Sequence, residues 1–136
     1  MSESDISAAK APYHAHIYYD AASRPRAEEA RRNLCEAMAG NDWPHLRFVG
    51  SLRDAPAGPH PLPQFEIHFT RDALAEVRAF IAERGLRALI HPLTDDDLAD
   101  HTTLAEWMGE PLPLDTATLD PPGRNQGVPR FGISDF

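Results

Sequence analysis

Apolar and polar positions along this chain switch repeatedly between a period of two and a helical period. Tyr13 to Tyr19 alternates in side-chain character and is rich in aromatics, the pattern of a strand. Ala27, Ala30, Leu34 and Met38 then recur at helical spacing, with Ser23 placed as an N-cap, Pro25 in the first turn and Gly40 as the stop. Leu46 to Leu52 reads as a second strand and Gln64 to Phe69 as a third, across a turn-rich stretch from Asp54 to Pro61. Thr70 caps a second predicted helix, whose Leu74, Val77 and Ile81 share one face and whose end is marked by Gly85. Leu86 to His91 is a fourth strand, closed by Pro92, and a short helical piece is expected around Leu104 to Met108.

The resulting order, βαββαβ, is the ferredoxin-like α+β arrangement, an antiparallel sheet of spatial order 4-1-3-2 with helices on one face. Residues 1–11 read as a flexible lead-in and 12–120 as a single domain. Residues 121–136 carry Pro, Gly and Asn without any period and read as an extended or disordered C-terminal extension.

Composition narrows the function classes. The chain has 136 residues, one domain's worth, with 13 basic and 21 acidic side chains and a formal charge of −8. No Lys/Arg cluster is available to hold a phosphate backbone or an anionic membrane, so neither nucleic acid nor membrane is an expected partner. No apolar run reaches the ~18 residues a spanning helix needs. The acidic start, Met1 to Asp5, is unlike a secretory signal, so a cytoplasmic location is expected. A lone Cys35 excludes an internal disulfide framework and multi-cysteine metal sites, and reads as a half-buried structural thiol. Seven histidines in an acidic chain are the feature to follow.

Strand alternation sorts most of them. His14 and His16 share a face of strand one, opposite Tyr13, Ala15 and Ile17; Glu66 and His68 oppose Phe65, Ile67 and Phe69 on strand three; His91 opposes Ile90 on strand four. The apolar sets must meet the helices, so His14, His16, Glu66, His68 and His91 fall on the face the helices leave open. Strand one is antiparallel to three and four, so its beginning lies beside their ends. Face and direction together gather four histidines and one carboxylate at one end of the sheet. Imidazole and carboxylate are the usual donors for Fe(II), Zn(II) and Mn(II), and two histidines with one carboxylate is a pattern of non-haem Fe(II) oxygen chemistry. Taken singly, each residue also has an ordinary reading: a partly exposed polar strand face for His14 and His16, a cross-strand neighbour for His68, a solvated carboxylate for Glu66, a strand end for His91.

His60 lies in Gly58-Pro59-His60-Pro61, where prolines stiffen the backbone, which suits either a positioned side chain or a plain rigid turn. His101 follows aspartates at 95, 96, 97 and 100, read as a solvated acidic loop or as an N-cap, at Asp100 or Thr102, of the helix carrying Trp107. Calcium is disfavoured there because the glycine-centred EF-hand spacing is absent. Trp43 and Trp107 read as packing residues or as one wall of a pocket.

Taken together, Tyr13-His14-Ala15-His16-Ile17-Tyr18-Tyr19, Gly58-Pro59-His60-Pro61, Leu89-Ile90-His91-Pro92 and Asp100-His101-Thr102 with Trp107-Met108-Gly109 resemble the DOPA 4,5-dioxygenase family, the small type of fungi and bacteria. The resemblance runs over roughly residues 12 to 120. It implies extradiol ring cleavage of a catechol with O2, Fe(II) as cofactor (zinc or another divalent metal replacing it on purification) and a homodimer formed through the sheets. On that reading His16, His91 and His14 are the first metal candidates, with Glu66 as the carboxylate that geometry offers. His60 and His101 are acid–base candidates, and His68, Arg47 and Arg87 are candidates for substrate contact. The sequence departs from the family pattern where Asp95 follows Thr94 in place of a glycine. The competing reading is a non-enzymatic ferredoxin-like dimer that binds a small ligand in the same histidine-lined space.

Overall fold

The computed structural model describes residues 7–56, 58–94, 96–119 and 131–132. The elements are β1 (Pro12–Tyr18), α1 (Arg24–Ala39), β2 (Leu46–Val49), β3 (Gln64–Thr70), a 3-10 turn at Arg71–Ala73 leading into α2 (Leu74–Glu83), β4 (Arg87–Pro92), α3 (Asp97–His101), β5 (Glu106–Met108) and a second 3-10 turn at Thr116–Thr118. They form one antiparallel sheet of order β2-β3-β1-β4-β5. Read from the other edge this is 4-1-3-2 with a fifth strand appended to β4, so the ferredoxin-like α+β class holds. No helix among the described residues is long and apolar enough to cross a membrane.

The apolar face of the sheet does what the alternation requires. Ala15, Ile17, Phe65, Ile67, Phe69, Ala88 and Ile90 join Ala27, Ala30 and Leu34 of α1 and Val77 and Ile81 of α2 in one buried cluster. Met38, placed on the same stripe by spacing, is instead exposed near the C-terminal end of α1. Leu34 is fully buried. Leu34→Ala is expected to destabilise the fold by about 3 kcal/mol, the usual scale for truncating a core leucine, read as a fall in the urea midpoint.

Local chemistry differs from expectation at several ends. Ser23 occupies the N-cap of α1 without a side-chain cap bond; its hydroxyl turns back to Asp20. At the other end Gly40 keeps φ −84°, and Asn41 takes the left-handed turn at φ 55°. Gly85 does adopt φ 61° after α2, where the missing Cβ lets the chain reverse into β4. Thr70 precedes the 3-10 turn, and its hydroxyl bonds the Asp72 carboxylate. Ala8 to Ala11, inside the lead-in, are tied to the body: Ala9 and Ala11 carbonyls accept from Asp72 and Arg71 amides at 2.9 Å each.

The largest correction lies after β4. The helical piece expected at Leu104–Met108 is instead β5, paired with β4 through Ala88↔Met108, Leu89↔Trp107 and Ile90↔Glu106. The helix falls earlier, at α3, inside the stretch read as a solvated acidic loop or as a cap further on. Its N-cap is Asp96, whose side chain accepts from Ala99 N at 3.0 Å, while Asp97, Asp100 and His101 are buried within it and Thr102 stands at its end. Asp95, the departure from the family pattern, lies outside the described residues. So does the predicted extension from 121 on, apart from Phe131 and Gly132.

Candidate metal centre

The second sheet face is not open. The loop around His60, α3 and Phe131–Gly132 lie over it, and His14, His16, His60, His68, His91 and His101 are all buried. Register brings the strand residues together: His14 pairs with His68 on one side and His91 on the other, and His16 pairs with Glu66. α3 delivers His101 to His91, ring centroids 4.2 Å apart, and the Gly58–Pro61 turn delivers His60 to His16 at 4.1 Å. Strand geometry gathers four histidines here; the fold brings to them the two loop histidines, His60 and His101, that the family resemblance offered as acid–base candidates.

Hydrogen bonds fix the rings. His91 Nδ1–H donates to the Pro92 carbonyl at 2.8 Å, His101 Nδ1–H to the Asp97 carbonyl at 2.8 Å, and His16 Nδ1–H to Gln64 Oε1 at 3.2 Å. A backbone carbonyl or side-chain oxygen on Nδ1 is the usual partner of a metal-ligating histidine, because it leaves Nε2 with its lone pair aimed inward. His16 Nε2 and His91 Nε2 face each other at 3.1 Å. Burial, then the neighbouring imidazoles, holds the pKa of both well below 6.5. Each is therefore neutral, with no proton to share, and two facing lone pairs at this distance repel. A shared cation removes that repulsion, so the donor set fits a divalent metal. Gln64 went unnoticed in the sequence; its signal is its position two residues before Glu66 on the same strand face.

Donor atoms of His14, His16 and His91 all lie within 4.8 Å of one another, as do those of His16, His60 and His101 and those of His14, Glu66 and His68. The third group differs in its bonding. His68 Nε2–H donates to Glu66 Oε2 at 3.2 Å and its Nδ1 accepts from the Gly132 amide at 2.9 Å, so both ring nitrogens are engaged. The His68 ring also stacks on His14, centroids 3.6 Å apart, with Phe131 on the same ring at 5.9 Å.

His60 contacts Tyr18, whose phenol oxygen lies 2.6 Å from His60 Nδ1. Desolvation, then His101, pushes His60 down to about pKa 3, and burial raises the Tyr18 phenol above its ordinary value. Trp107, from β5, stacks on Tyr18 with centroids 6.2 Å apart. Tyr18 and Arg87 together line a cavity of about 350 Å³. Arg47 is exposed on β2 and is not among the residues of that cavity.

Asp100 underpins α3. Its carboxylate accepts from Thr94 Oγ1 at 2.6 Å and Thr94 N at 3.0 Å. Desolvation raises it to about pKa 6 against those bonds, with Asp97 and Asp96 adding to the rise. Thr94→Val keeps the shape and removes the hydroxyl donor. About 2 kcal/mol of stability is the expected loss, measured by urea unfolding, since a buried carboxyl loses a partner.

Comparison with known proteins places this geometry. The Dopa 4,5-dioxygenase family profile matches residues 13–118. The chain is 37% identical over 114 residues to an uncharacterized 21.2 kDa protein of Botryotinia fuckeliana, covering 76% of this chain and 61% of that one. It is 32% identical over 112 residues to a DOPA 4,5-dioxygenase of Amanita muscaria, covering 79% and 49%. The alignments thus span about half to three-fifths of these relatives' lengths. A crystal structure of a dioxygenase candidate from Nostoc punctiforme superposes with TM-score 0.66 at 34% identity, covering 79% of this chain and 90% of that one. With its buried imidazoles in register on the sheet and its profile matched from β1 to the last 3-10 turn, the chain belongs to the Dopa 4,5-dioxygenase family.

Proposed function

We propose that this chain opens a catechol ring by extradiol cleavage with O2, at a divalent iron held by His14, His16 and His91. The observation that carries this reading is the pair of buried, neutral Nε2 atoms 3.1 Å apart, with both Nδ1 hydrogens committed elsewhere. When bound, the metal supplies a Lewis acid that lowers the pKa of a catechol hydroxyl and a redox path between ring and O2.

The rest is done by the chain. His101 offers Nε2 as a proton acceptor, because its Nδ1 hydrogen is held by the Asp97 carbonyl. His60, its ring 6.1 Å from that of His101 and 4.1 Å from that of His16, is the second proton-handling group. Burial of the cluster excludes water, so charge developing there is met by fixed protein dipoles. Arg87, in the cavity beside Tyr18, suits an anionic substituent on the ring. Glu66 and His68 hold each other and support His14 from behind. A cytoplasmic homodimer belongs to the same reading, and sedimentation of the metal-loaded protein tests its oligomeric part.

The test is anaerobic reconstitution with Fe(II), followed by L-DOPA, dihydroxyphenylacetate or protocatechuate and air. Yellow semialdehyde formed with stoichiometric oxygen uptake is the expected result. Iron bound without turnover of any of the three would remove these substrates. No iron and no turnover would leave the non-enzymatic ligand-binding dimer.

A further inference from the structure

Of the histidines that face the centre, His60 has bonding of the opposite sense to its neighbours. We propose that Tyr18 is a positioning residue: its phenol donates to His60 Nδ1 and so holds His60 with its hydrogen on Nε2, making His60 the group that presents an N–H to the centre while His16, His91 and His101 present lone pairs.

The geometry behind this is a count of hydrogens. Tyr18 is only 2% exposed, and a buried hydroxyl must place its hydrogen on an acceptor. Among the described residues its only hydrogen-bond partner is His60 Nδ1, at 2.6 Å. Were His60 Nδ1 to carry a hydrogen and donate, the phenol hydrogen would have no acceptor among the described residues. The phenol therefore donates, Nδ1 accepts, and a neutral imidazole then carries its hydrogen on Nε2. The three other rings are fixed in the reverse sense, each with an oxygen acceptor on Nδ1. The fold secures the arrangement twice. Tyr18 ends the histidine face of the central strand, between Gln64 and Arg87 in register, and Trp107 lies nearly parallel to its ring at 16°. The small strand β5, which delivers Trp107, thus has a task in the site.

For the reaction this separates two roles that the sequence left joined. An imidazole with Nε2–H would donate to a substrate oxygen, whereas His101, with its lone pair, can only accept until protonated. This division rests on the proposed ring-cleavage reading; the state of the His60 ring does not, and the two are tested apart.

The experiment is nitrogen-15 NMR of the histidine rings in the full chain loaded with diamagnetic zinc, with Tyr18→Phe and Tyr13→Phe as variants. Tyr13 lies on the opposite, helix-covered face of β1. In the parent protein His60 is expected to show a protonated Nε2 and an unprotonated, hydrogen-bonded Nδ1. Tyr18→Phe is expected to move a substantial share of the hydrogen to Nδ1, and Tyr13→Phe to leave the ring unchanged. A His60 ring carrying its hydrogen on Nδ1 in the parent protein overturns the proposal, even if Tyr18→Phe does not fold. An unchanged ring in a folded Tyr18→Phe overturns it too. With iron and a turned-over catechol, Tyr18→Phe is expected to lower kcat about 10-fold at unchanged KM, the lower end for a disturbed proton-transfer group. Unchanged kcat overturns the catalytic part. Absence of turnover in the parent protein, with the ring as expected, counts against ring cleavage and leaves the hydrogen-bond assignment standing.

Discussion

His16→Ala is expected to release the metal, weakening zinc binding by more than about 100-fold and abolishing turnover. Losing merely the partner that orients a ligand lowers metal affinity about 10- to 100-fold, so losing the ligand itself exceeds that. His16 is the residue for which the expectation is strongest. It belongs to two of the three imidazole groups, its Nε2 lies 3.1 Å from that of His91, and it sits on the central strand, where neighbours on both sides fix its position. Gln64→Ala provides the graded comparison: the ligand stays, its Nδ1 partner goes, and about a 10-fold loss is expected. Metal per chain by elemental analysis, a zinc titration and far-UV circular dichroism together give the answer. Stoichiometric metal in a folded His16→Ala would move the centre to His14, Glu66 and His68.

Stripped of metal, the protein is expected to lose stability steeply below the ordinary histidine range. His16, His60 and His91 all have folded pKa values lowered from 6.5, His60 to about 3. Between the unfolded and folded values the unfolded chain holds protons that the native one refuses. Their stabilisation is complete above 6.5 and is lost as pH falls through that window. Asp100 acts oppositely: raised from 3.8 to about 6, it takes up a proton in the native state first and gains stability as pH falls between those values. Three lowered histidines outweigh one raised carboxyl, so the net effect is a loss of stability towards acid. Urea midpoints in chelator from pH 7 to 4.5 test this. A flat profile would mean that the rings are protonated without unfolding the site. Saturating zinc should raise the midpoint most near pH 7 and progressively less towards acid, because the ligands must be neutral to bind.

The sheet and its chemistry were legible where the period was clean. Alternation assigned His14, His16, Glu66, His68 and His91 to one face, and strand direction gathered them at one end, because both follow from backbone geometry alone. What escaped was decided by tertiary pairing. Three residues, Glu106 to Met108, carry no period of their own and become a strand only because β4 offers an edge. Asp97 and Asp100 read as part of a solvated loop, or Asp100 as a cap, yet both are buried where Thr94 and the Asp96 cap hold α3. Tyr18 entered the sequence reading only as part of an aromatic-rich strand. Its importance comes from His60, 42 residues away in sequence and brought to it by a proline-stiffened turn.

The sheet's two rims bear on how copies of this chain can meet. On one side β5 occupies the free hydrogen-bonding rim of β4. On the other, β2 is only 4 residues long, its pairing with β3 slips between Leu46 and Phe48, and the residue at the slip is the exposed Arg47. A short, kinked, charged rim is a poor template for an incoming strand, which is how natural sheets avoid uncontrolled polymerisation. On the β2 side, copies of this chain are guarded against stacking rim to rim into fibres.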